Sequence, residues 1–330
     1  MLILAKSLLA LMVSFIISVL FGLAMIPLLR KLNVKQRVSV FLSKLHNKKN
    51  GVPTMGGIIF IIPTIVSVIL LILFNKIEFS NNLFLVLFVF VSYALLGFLD
   101  DYLIIKRRNN KGLTEFQKLF GQIVIAVIFF IIFMNSGREP VLDIHSLGVK
   151  IDMGWFYGVF LLFILVASSN AVNLTDGLDG LSGGLSVIAF LAFGIISLGS
   201  TWISGSEEIG IFCFILVGAL LGFLVYNAHP AKVIMGDTGS LSLGATLAAV
   251  SIITNHEISL IVVAGVFVIE TLTVLIQMFS VRVFKKRVFL MSPLHHHFEK
   301  LGWRETDIVR LFYVFGMLFS MGAVVYGVWI

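Results

Sequence analysis

The stretch IFCFILVGALLGFLV at residues 211–225 contains no charged side chain and holds only two glycines among large apolar residues. It lies within an apolar run at 210–226, close to the roughly 20 residues that a membrane-spanning helix needs. Barrel strands would instead alternate apolar and polar residues. The stretch therefore predicts a transmembrane helix. Its Cys213, the single cysteine of the chain, is interpreted as a small apolar core residue, so no disulfide framework is expected.

Nine further runs share this character, and the overall composition agrees with them. Hydrophobic residues make up 59% of the 330 residues and charged residues 12%, whereas soluble domains carry about 25% charged residues. This balance excludes a disordered chain, a disulfide scaffold and a soluble enzyme. We predict an all-α polytopic protein that forms one transmembrane domain over 1–330. Its ten helices are expected at 3–29, 56–74, 83–99, 119–134, 154–171, 181–200, 210–226, 239–254, 260–280 and 308–328.

The basic residues indicate the orientation. Of the 24 Lys and Arg residues, all but Lys6, Lys76, Arg138 and Lys150 fall in alternate loops on one side. By the positive-inside rule that side is cytoplasmic, which places both termini outside. The net charge of +7 is then explained by topology, and no nucleic-acid partner is expected. The outer loop 135–153 alternates in polarity, which is compatible with a small hairpin.

Unusual polar residues gather where predicted spans meet the cytoplasm. They lie in GFLDDY (97–102), SSNAVNLTDGLDGLSGG (168–184), YNAHPAKVIMGDTGSLSLG (226–244) and MSPLHHHFEKLGW (291–303). Carboxylates at an apolar boundary are costly and are usually functional. The sequence therefore predicts that these segments form a site.

The residue types suggest a cation and a phosphorylated substrate. Asp and Asn oxygens are hard ligands that suit Mg²⁺ or Mn²⁺. Three consecutive histidines point about 100° apart on a helix, so a zinc site is not favoured. Lysines near the acidic loops are typical of phosphate binding. We predict a membrane enzyme acting on a phosphorylated substrate at the cytoplasmic face; the alternative is a transporter with topogenic charges.

Five segments carry a family resemblance: GVPTMGG (51–57), GFLDDY (97–102), NAVNLTDGLDGL (170–181), PAKVIMGDTGSLSLG (230–244) and PLHHHFEKLGW (293–303). In this order they closely resemble the phospho-N-acetylmuramoyl-pentapeptide transferases, the MraY family of the polyprenyl-phosphate N-acetylhexosamine-1-phosphate transferase superfamily. The resemblance covers the whole chain. The extended His segment favours this family over relatives that transfer N-acetylhexosamine phosphates.

The resemblance implies a reaction and a setting. Phospho-MurNAc-pentapeptide would move from UDP-MurNAc-pentapeptide to undecaprenyl phosphate, giving lipid I and UMP for peptidoglycan, with Mg²⁺ required. It further implies a bacterial plasma membrane, a homodimer and inhibition by uridine-containing nucleosides. The active site would face the cytoplasm and be built from loops near 44–57, 100–118, 170–183, 227–240 and 281–307.

The resemblance also assigns roles to residues. Catalytic roles fall on Asp100, Asp101, Asp237, His295, His296 and His297, and Mg²⁺ would be held by Asp237 with Asn173. Substrate contacts are implied for Lys48, Lys111, Lys118, Asn170, Asn173, Asp176, Gly177, Leu178, Asp179, Asn227, Ile234 and Gln277. Within that set, residues 177–179 would lie at the uridine pocket and Lys48 near the diphosphate.

Two departures from the family pattern have consequences. Ile104 stands where the family often has a lysine, which removes a phosphate contact. Ile234 stands where PAKVFMGD has an aromatic residue, which removes stacking on uracil. The reaction route stays open between direct in-line attack and a covalent aspartyl-phosphate. Glu270, in the middle of the ninth run, is either functional or a neutral, hydrogen-bonded packing residue.

Overall fold

The computed structural model describes residues 2–32, 51–107, 112–144, 148–200 and 205–329, and these are almost entirely helical. The helices, in chain order, are α1 (Leu2–Lys31), α2 (Ile58–Leu73), α3 (Asn81–Arg107), α4 (Glu115–Asn135), α5 (Phe156–Thr175), α6 (Leu181–Gly199), α7 (Ser206–Asn227), α8 (Gly236–Ile253), α9 (Glu257–Val263), α10 (Gly265–Phe284), α11 (Leu294–Lys300) and α12 (Glu305–Trp329). Strands β1 (Val141–Ile144) and β2 (Val149–Asp152) form an antiparallel pair.

Eight helices of the described residues are long and apolar enough to cross a membrane, namely α1, α3, α4, α5, α6, α7, α10 and α12. This confirms an all-α, multi-pass membrane protein. The shorter apolar helix α2 has 16 residues, and α8 carries Asp237 with several serines and threonines. The predicted total of ten spans and the orientation of the termini stay predictions.

Helix α8 lies at the centre of the helices and is buried from Thr238 to Ile253. Its neighbours α3 and α5 pack along it. The approach of α3 depends on Gly97, because a Cβ there would overlap the backbone carbonyl of Asp237. Small residues at such crossings let helix backbones come close within a membrane. The packing brings the acidic end of α3 against the first turn of α8.

Two of the predicted spans differ from the structure by more than the shift of four residues or fewer seen at the other helix ends. The third span was expected to end at 99, but α3 continues to Arg107, so Asp100 and Asp101 lie within a helix. The apolar run ends at the membrane boundary, whereas the helical hydrogen bonds continue beyond it. Lys106 and Arg107 in the last turn stabilise this extension because their charges complement the helix dipole. The ninth span is divided at Ala264 into α9 and α10.

The expected hairpin in 135–153 is present. In its register Asp143 is paired with Lys150, and their side chains form an ion pair of 3.3 Å. Just before it, the Arg138 guanidinium donates to Asn82 Oδ1 at 2.9 and 3.2 Å, which ties this loop to the start of α3.

Candidate active site

Asp101 caps the first turn of α8. Its carboxylate accepts hydrogen bonds from Asp237 N–H (3.3 Å), Thr238 N–H (3.0 Å) and the Thr238 hydroxyl (2.6 Å). A carboxylate at a helix N-terminus satisfies free N–H groups and complements the helix dipole. Asp101 is therefore directed at the helix that carries Asp237, and it is only 5% exposed. As two adjacent residues of a helix must, Asp100 and Asp101 face different ways.

Asp100 faces Lys118 instead. The Lys118 ammonium lies 3.4 Å from Asp100 Oδ2 and 2.5 Å from Asp237 Oδ2. The other Asp100 oxygen accepts a hydrogen bond of 2.8 Å from the backbone N–H of Leu113. One cation, contributed by α4, thus lies between two carboxylates from α3 and α8, and reduces the repulsion between them.

Asn173 completes this cluster from the end of α5. Its Nδ2 donates to Asp237 Oδ1 and to Ser240 Oγ, each at 2.8 Å. The Asp237 side chain keeps 22% of its surface exposed, so a ligand can reach it. Two carboxylates and a carboxamide offer hard oxygen atoms, the donor type that Mg²⁺ prefers. The cluster therefore fits the ion that the sequence predicts at Asp237 and Asn173.

A second group surrounds the loop between α5 and α6. Asp179 Oδ2 accepts hydrogen bonds from His229 Nδ1 (3.1 Å) and from Ala231 N–H (3.0 Å). The backbone N–H of Asp179 donates to Glu305 Oε1 at 2.6 Å. Ligand atoms of Asp179, His229 and Glu305 lie within 4.8 Å of one another, a donor set that is able to hold a cation.

Asn227 and Ile234 both form hydrogen bonds with backbone groups of neighbouring segments. Asn227 accepts from Gly180 N–H at 3.1 Å and donates to Val233 O at 2.9 Å. Ile234 donates its N–H to Pro53 O and accepts from Gly56 N–H, both at 2.8 Å. The conspicuous segments 51–57 and 230–237 thus pair with each other, and the Ile234 side chain is half-buried.

The rings of His295 and His296 lie against each other, with centroids 4.1 Å apart, but the Nδ1 atoms of the three histidines face three different groups. His295 is buried against Glu270, whose carboxylate accepts from His295 N–H at 3.1 Å and lies 3.2 Å from Nδ1. Glu270 is thus buried beside the triplet, with its Oε1 hydrogen-bonded to the backbone of α11. His296 Nδ1 lies 2.6 Å from Glu299 Oε2, and His297 Nδ1 accepts from Leu290 N–H at 3.1 Å.

His295 also contacts the loop after α5. A Cβ at Gly177 would overlap His295 Nε2, so the glycine allows α11 to close on this loop. Gln277 has a different partner: its carboxamide donates to Phe289 O and accepts from the N–H groups of Val288 and Phe289. Its side chain fastens the segment between α10 and α11, and its implied substrate contact stays a prediction.

The predicted site residues therefore separate into groups. The structure brings together Asp100, Lys118, Asn173 and Asp237, and it places Gly177, Leu178, Asp179 and Asn227 around one neighbouring loop with Asp176 half-buried at its start. Asn170 instead donates to Gln122 Oε1 (3.1 Å). Lys48 and Lys111 lie outside the described residues.

Sequence reasoning missed several partners of these residues. Thr238 and Ser240 belong to the quoted GDTGS motif, so their position beside Asp237 offered a signal. Glu305 is separated from Asp179 by 126 positions, and no local pattern marks it.

Comparison with known proteins agrees with this architecture. Residues 83–255 match the model of glycosyl transferase family 4. The phospho-N-acetylmuramoyl-pentapeptide-transferase of Geobacillus thermodenitrificans is 48% identical over 321 residues, covering 97% of this chain and 98% of that protein. The same-named proteins of Oceanobacillus iheyensis and Bacillus subtilis are 48% and 46% identical, with 95% and 97% of each chain covered.

Identity of this extent along nearly the whole chain, on a helical membrane architecture, shows the family. The chain is a multi-pass membrane member of the phospho-N-acetylmuramoyl-pentapeptide-transferase family.

Proposed function

We propose that this protein transfers phospho-MurNAc-pentapeptide from UDP-MurNAc-pentapeptide to undecaprenyl phosphate, giving lipid I and UMP for peptidoglycan synthesis. The family supplies the reaction. The observation that carries it in this chain is the cluster of Asp100, Lys118, Asn173 and Asp237, which four helices bring together beside the Gly177–Asp179 loop. In a transfer between two phosphates, the lysine balances phosphate charge, and the carboxylates are able to hold a metal ion or accept a proton.

The acceptor itself reduces the need for a strong base. A phosphate monoester has a second pKa of about 6 and is mostly dianionic at neutral pH. An oxygen of the acceptor phosphate attacks the β-phosphorus of the UDP-sugar, and the bond to the UMP oxygen breaks. Asp100 orients the acceptor or takes its last proton. Lys118, which lies between the two carboxylates, balances phosphate charge.

We further propose that Asp237, supported by Asn173, holds Mg²⁺. When bound, this ion neutralises the charge of the diphosphate and of the UMP leaving group. Asp101 keeps the Asp237 backbone in place through its bond to the Asp237 N–H. Lys118 and Asn173 orient the two oxygens of the Asp237 side chain.

A covalent aspartyl-phosphate is the rival route, and labelled UMP tests it. Such an intermediate forms without the lipid, so it exchanges labelled UMP into UDP-MurNAc-pentapeptide when no polyprenyl phosphate is present. Direct attack gives no exchange under those conditions. Exchange at a rate comparable to turnover would overturn the direct route.

We place the protein in the bacterial plasma membrane as a homodimer, with ten spans in each chain. Its active site faces the cytoplasm and binds uridine-containing nucleoside inhibitors. The distribution of Lys and Arg residues supports this orientation. The native Cys213 is buried, so introduced cysteines can be labelled selectively. Cysteines at 107 and 286 should be shielded from impermeant reagents in intact cells. Cysteines at 78 and 207, where the native side chains are exposed, should react. The reverse pattern refutes the orientation.

The reaction is tested with the purified full chain in detergent. The protein receives Mg²⁺, polyprenyl phosphate and either UDP-MurNAc-pentapeptide or UDP-GlcNAc, and released UMP is measured. UMP release that depends on the pentapeptide donor is expected. Release with UDP-GlcNAc alone indicates a related hexosamine-phosphate transferase. No release with either donor indicates a transporter or flippase and overturns the proposal.

A further inference from the structure

The last helix holds the loop between α5 and α6 from a distance along the chain. Glu305 Oε1 accepts the N–H of Asp179 at 2.6 Å, and the Tyr313 hydroxyl donates to the carbonyl of Gly180, also at 2.6 Å. The side chains of Glu305 and Asp179 are 13% and 6% exposed. Little water competes at this position, so each hydrogen bond constrains the loop strongly.

Two glycines make the contact with Tyr313 possible. Gly180 has a φ of +79°, a backbone conformation that L side chains rarely adopt, and this turn presents its carbonyl to α12. A Cβ at Gly184 would overlap the Tyr313 hydroxyl, so the start of α6 is shaped to admit it. The bond therefore depends on the middle and the last residue of the DGLDGLSGG segment (176–184).

The imidazole of His229 connects the two acidic side chains. Its Nδ1 lies 3.1 Å from Asp179 Oδ2 and 3.5 Å from Glu305 Oε2. Asp179 is thus fixed through its side chain by the segment after α7 and through its N–H by α12. The cluster of Asp100, Lys118 and Asp237 is held by a separate set of bonds, including those from Leu113 and Asn173.

We propose that Glu305 and Tyr313 are positioning residues for the nucleotide: they hold the Asp179 N–H and the Gly180 carbonyl and so preorganise the Gly177–Asp179 loop for the uridine ring. This inference rests on the proposed function. A loop that is ordered before binding does not lose that freedom when the ligand arrives, which improves affinity. Removal of either bond should therefore weaken uridine binding and leave the chemical step unchanged.

The test combines turnover with direct binding, using the full chain in detergent. Binding is measured by calorimetry with UMP as the probe, and KM and kcat are measured by UMP release. Glu305→Ala should raise both the Kd for UMP and the KM for the UDP donor about tenfold. Tyr313→Phe, which removes one oxygen atom, should raise them about fivefold. In both variants kcat and the KM for polyprenyl phosphate should stay at wild-type values.

Two further variants separate positioning from general damage. Glu305→Gln keeps an oxygen acceptor for the Asp179 N–H and should restore most of the affinity lost in Glu305→Ala. Asp307→Ala removes a carboxylate from the same helical turn, where Asp307 forms an exposed pair with Arg310, and should bind UMP like the wild type.

Each remaining outcome counts against one of the two ideas. Wild-type protein that releases no UMP overturns the proposed function. Active wild-type protein with unchanged Kd and KM in Glu305→Ala and Tyr313→Phe overturns the positioning role alone. A fall in kcat at constant KM does the same. If Glu305→Ala fails to fold, Tyr313→Phe decides, and unchanged UMP affinity in that variant refutes the inference.

Discussion

Replacing Asp101 by asparagine should destabilise the protein more than it impairs the chemistry. Asp101 accepts three hydrogen bonds from the first turn of α8. Asparagine keeps one oxygen and turns the other position into a donor, which faces an N–H or a hydroxyl. Bonds to a charged acceptor contribute about 1.5–3 kcal/mol each, and the helix dipole adds about 0.3–1 kcal/mol. The neutral side chain is cheaper to bury, so we expect a net loss of about 2 kcal/mol.

This loss should be visible in thermal unfolding in detergent. A change of 1 kcal/mol shifts the Tm by about 2–4 °C for domains of 150–250 residues, so Asp101→Asn should lower the apparent Tm by about 5 °C. Thr238→Val removes only the hydroxyl donor and should cost about 1 kcal/mol. Because the two side chains share a bond, the double variant should lose less than the sum of the single losses.

Asp100→Asn is the matched control, since it changes the adjacent residue in the same way. Asp100 accepts a single backbone N–H and pairs with Lys118, so its Tm should fall by less while UMP release drops further. Our reasoning is refuted if Asp101→Asn keeps the wild-type Tm but abolishes turnover, because Asp101 would then act on the substrates rather than on α8.

Three further predictions concern the metal, the uracil base and the buried carboxyl group of Glu257. Asp237→Asn should keep the fold but remove most activity at limiting Mg²⁺, since the amide lacks the charge that the ion needs; near wild-type UMP release would disprove the role. Ile234→Phe should tighten uridine ligands about fivefold through stacking, as measured by calorimetry, and leave competitors of the lipid groove unaffected; weaker uridine binding contradicts this. Burial raises the pKa of Glu257 from 4.5 to about 7. The folded state therefore binds the proton more tightly than the unfolded state. The free energy of unfolding is highest below about pH 4.5 and falls by about 3 kcal/mol as the pH rises to about 7. Glu257→Gln should flatten that part of a plot of apparent Tm against pH, and an unchanged slope would show that another group titrates.

The positions of the helices could be predicted from the sequence because the membrane requires them. A chain in lipid must satisfy its backbone within each span, so long apolar runs have few alternatives to the helix. Every predicted run corresponds to a helix or, at the ninth, to the pair α9 and α10. The ends were less predictable. Helix α3 extends eight residues beyond its predicted boundary. An apolar run marks only the part of a helix that lies in lipid, and the backbone hydrogen bonds continue past it.

The site was predictable in its membership but not in its bonding. Asp100, Asn173 and Asp237 stand out as polar residues at apolar boundaries, and the structure brings them together with Lys118. Which side chain each one faces depends on helix rotation and on residues far away in the chain. Gln277 and Asn227 illustrate this, because their carboxamides bind backbone groups, although residue type alone suits them equally well to a ligand.

The pair Asp100–Asp101 shows why a motif does not assign roles to its members. Two adjacent residues of a helix point about 100° apart, so a single conspicuous DD serves two surroundings. Asp100 points to Lys118, whereas Asp101 points to the first turn of α8, and both side chains are buried. The N-terminus of α8 needs an anion, and the glycine at 97 lets α3 approach closely enough to supply one. Asp101 thus accepts a hydrogen bond from the Asp237 N–H, and Asp100 shares Lys118 with the Asp237 side chain. Replacement of either aspartate therefore affects Asp237, through its backbone in the case of Asp101 and through its side chain in the case of Asp100. Only measurements that separate stability from turnover can distinguish these two effects.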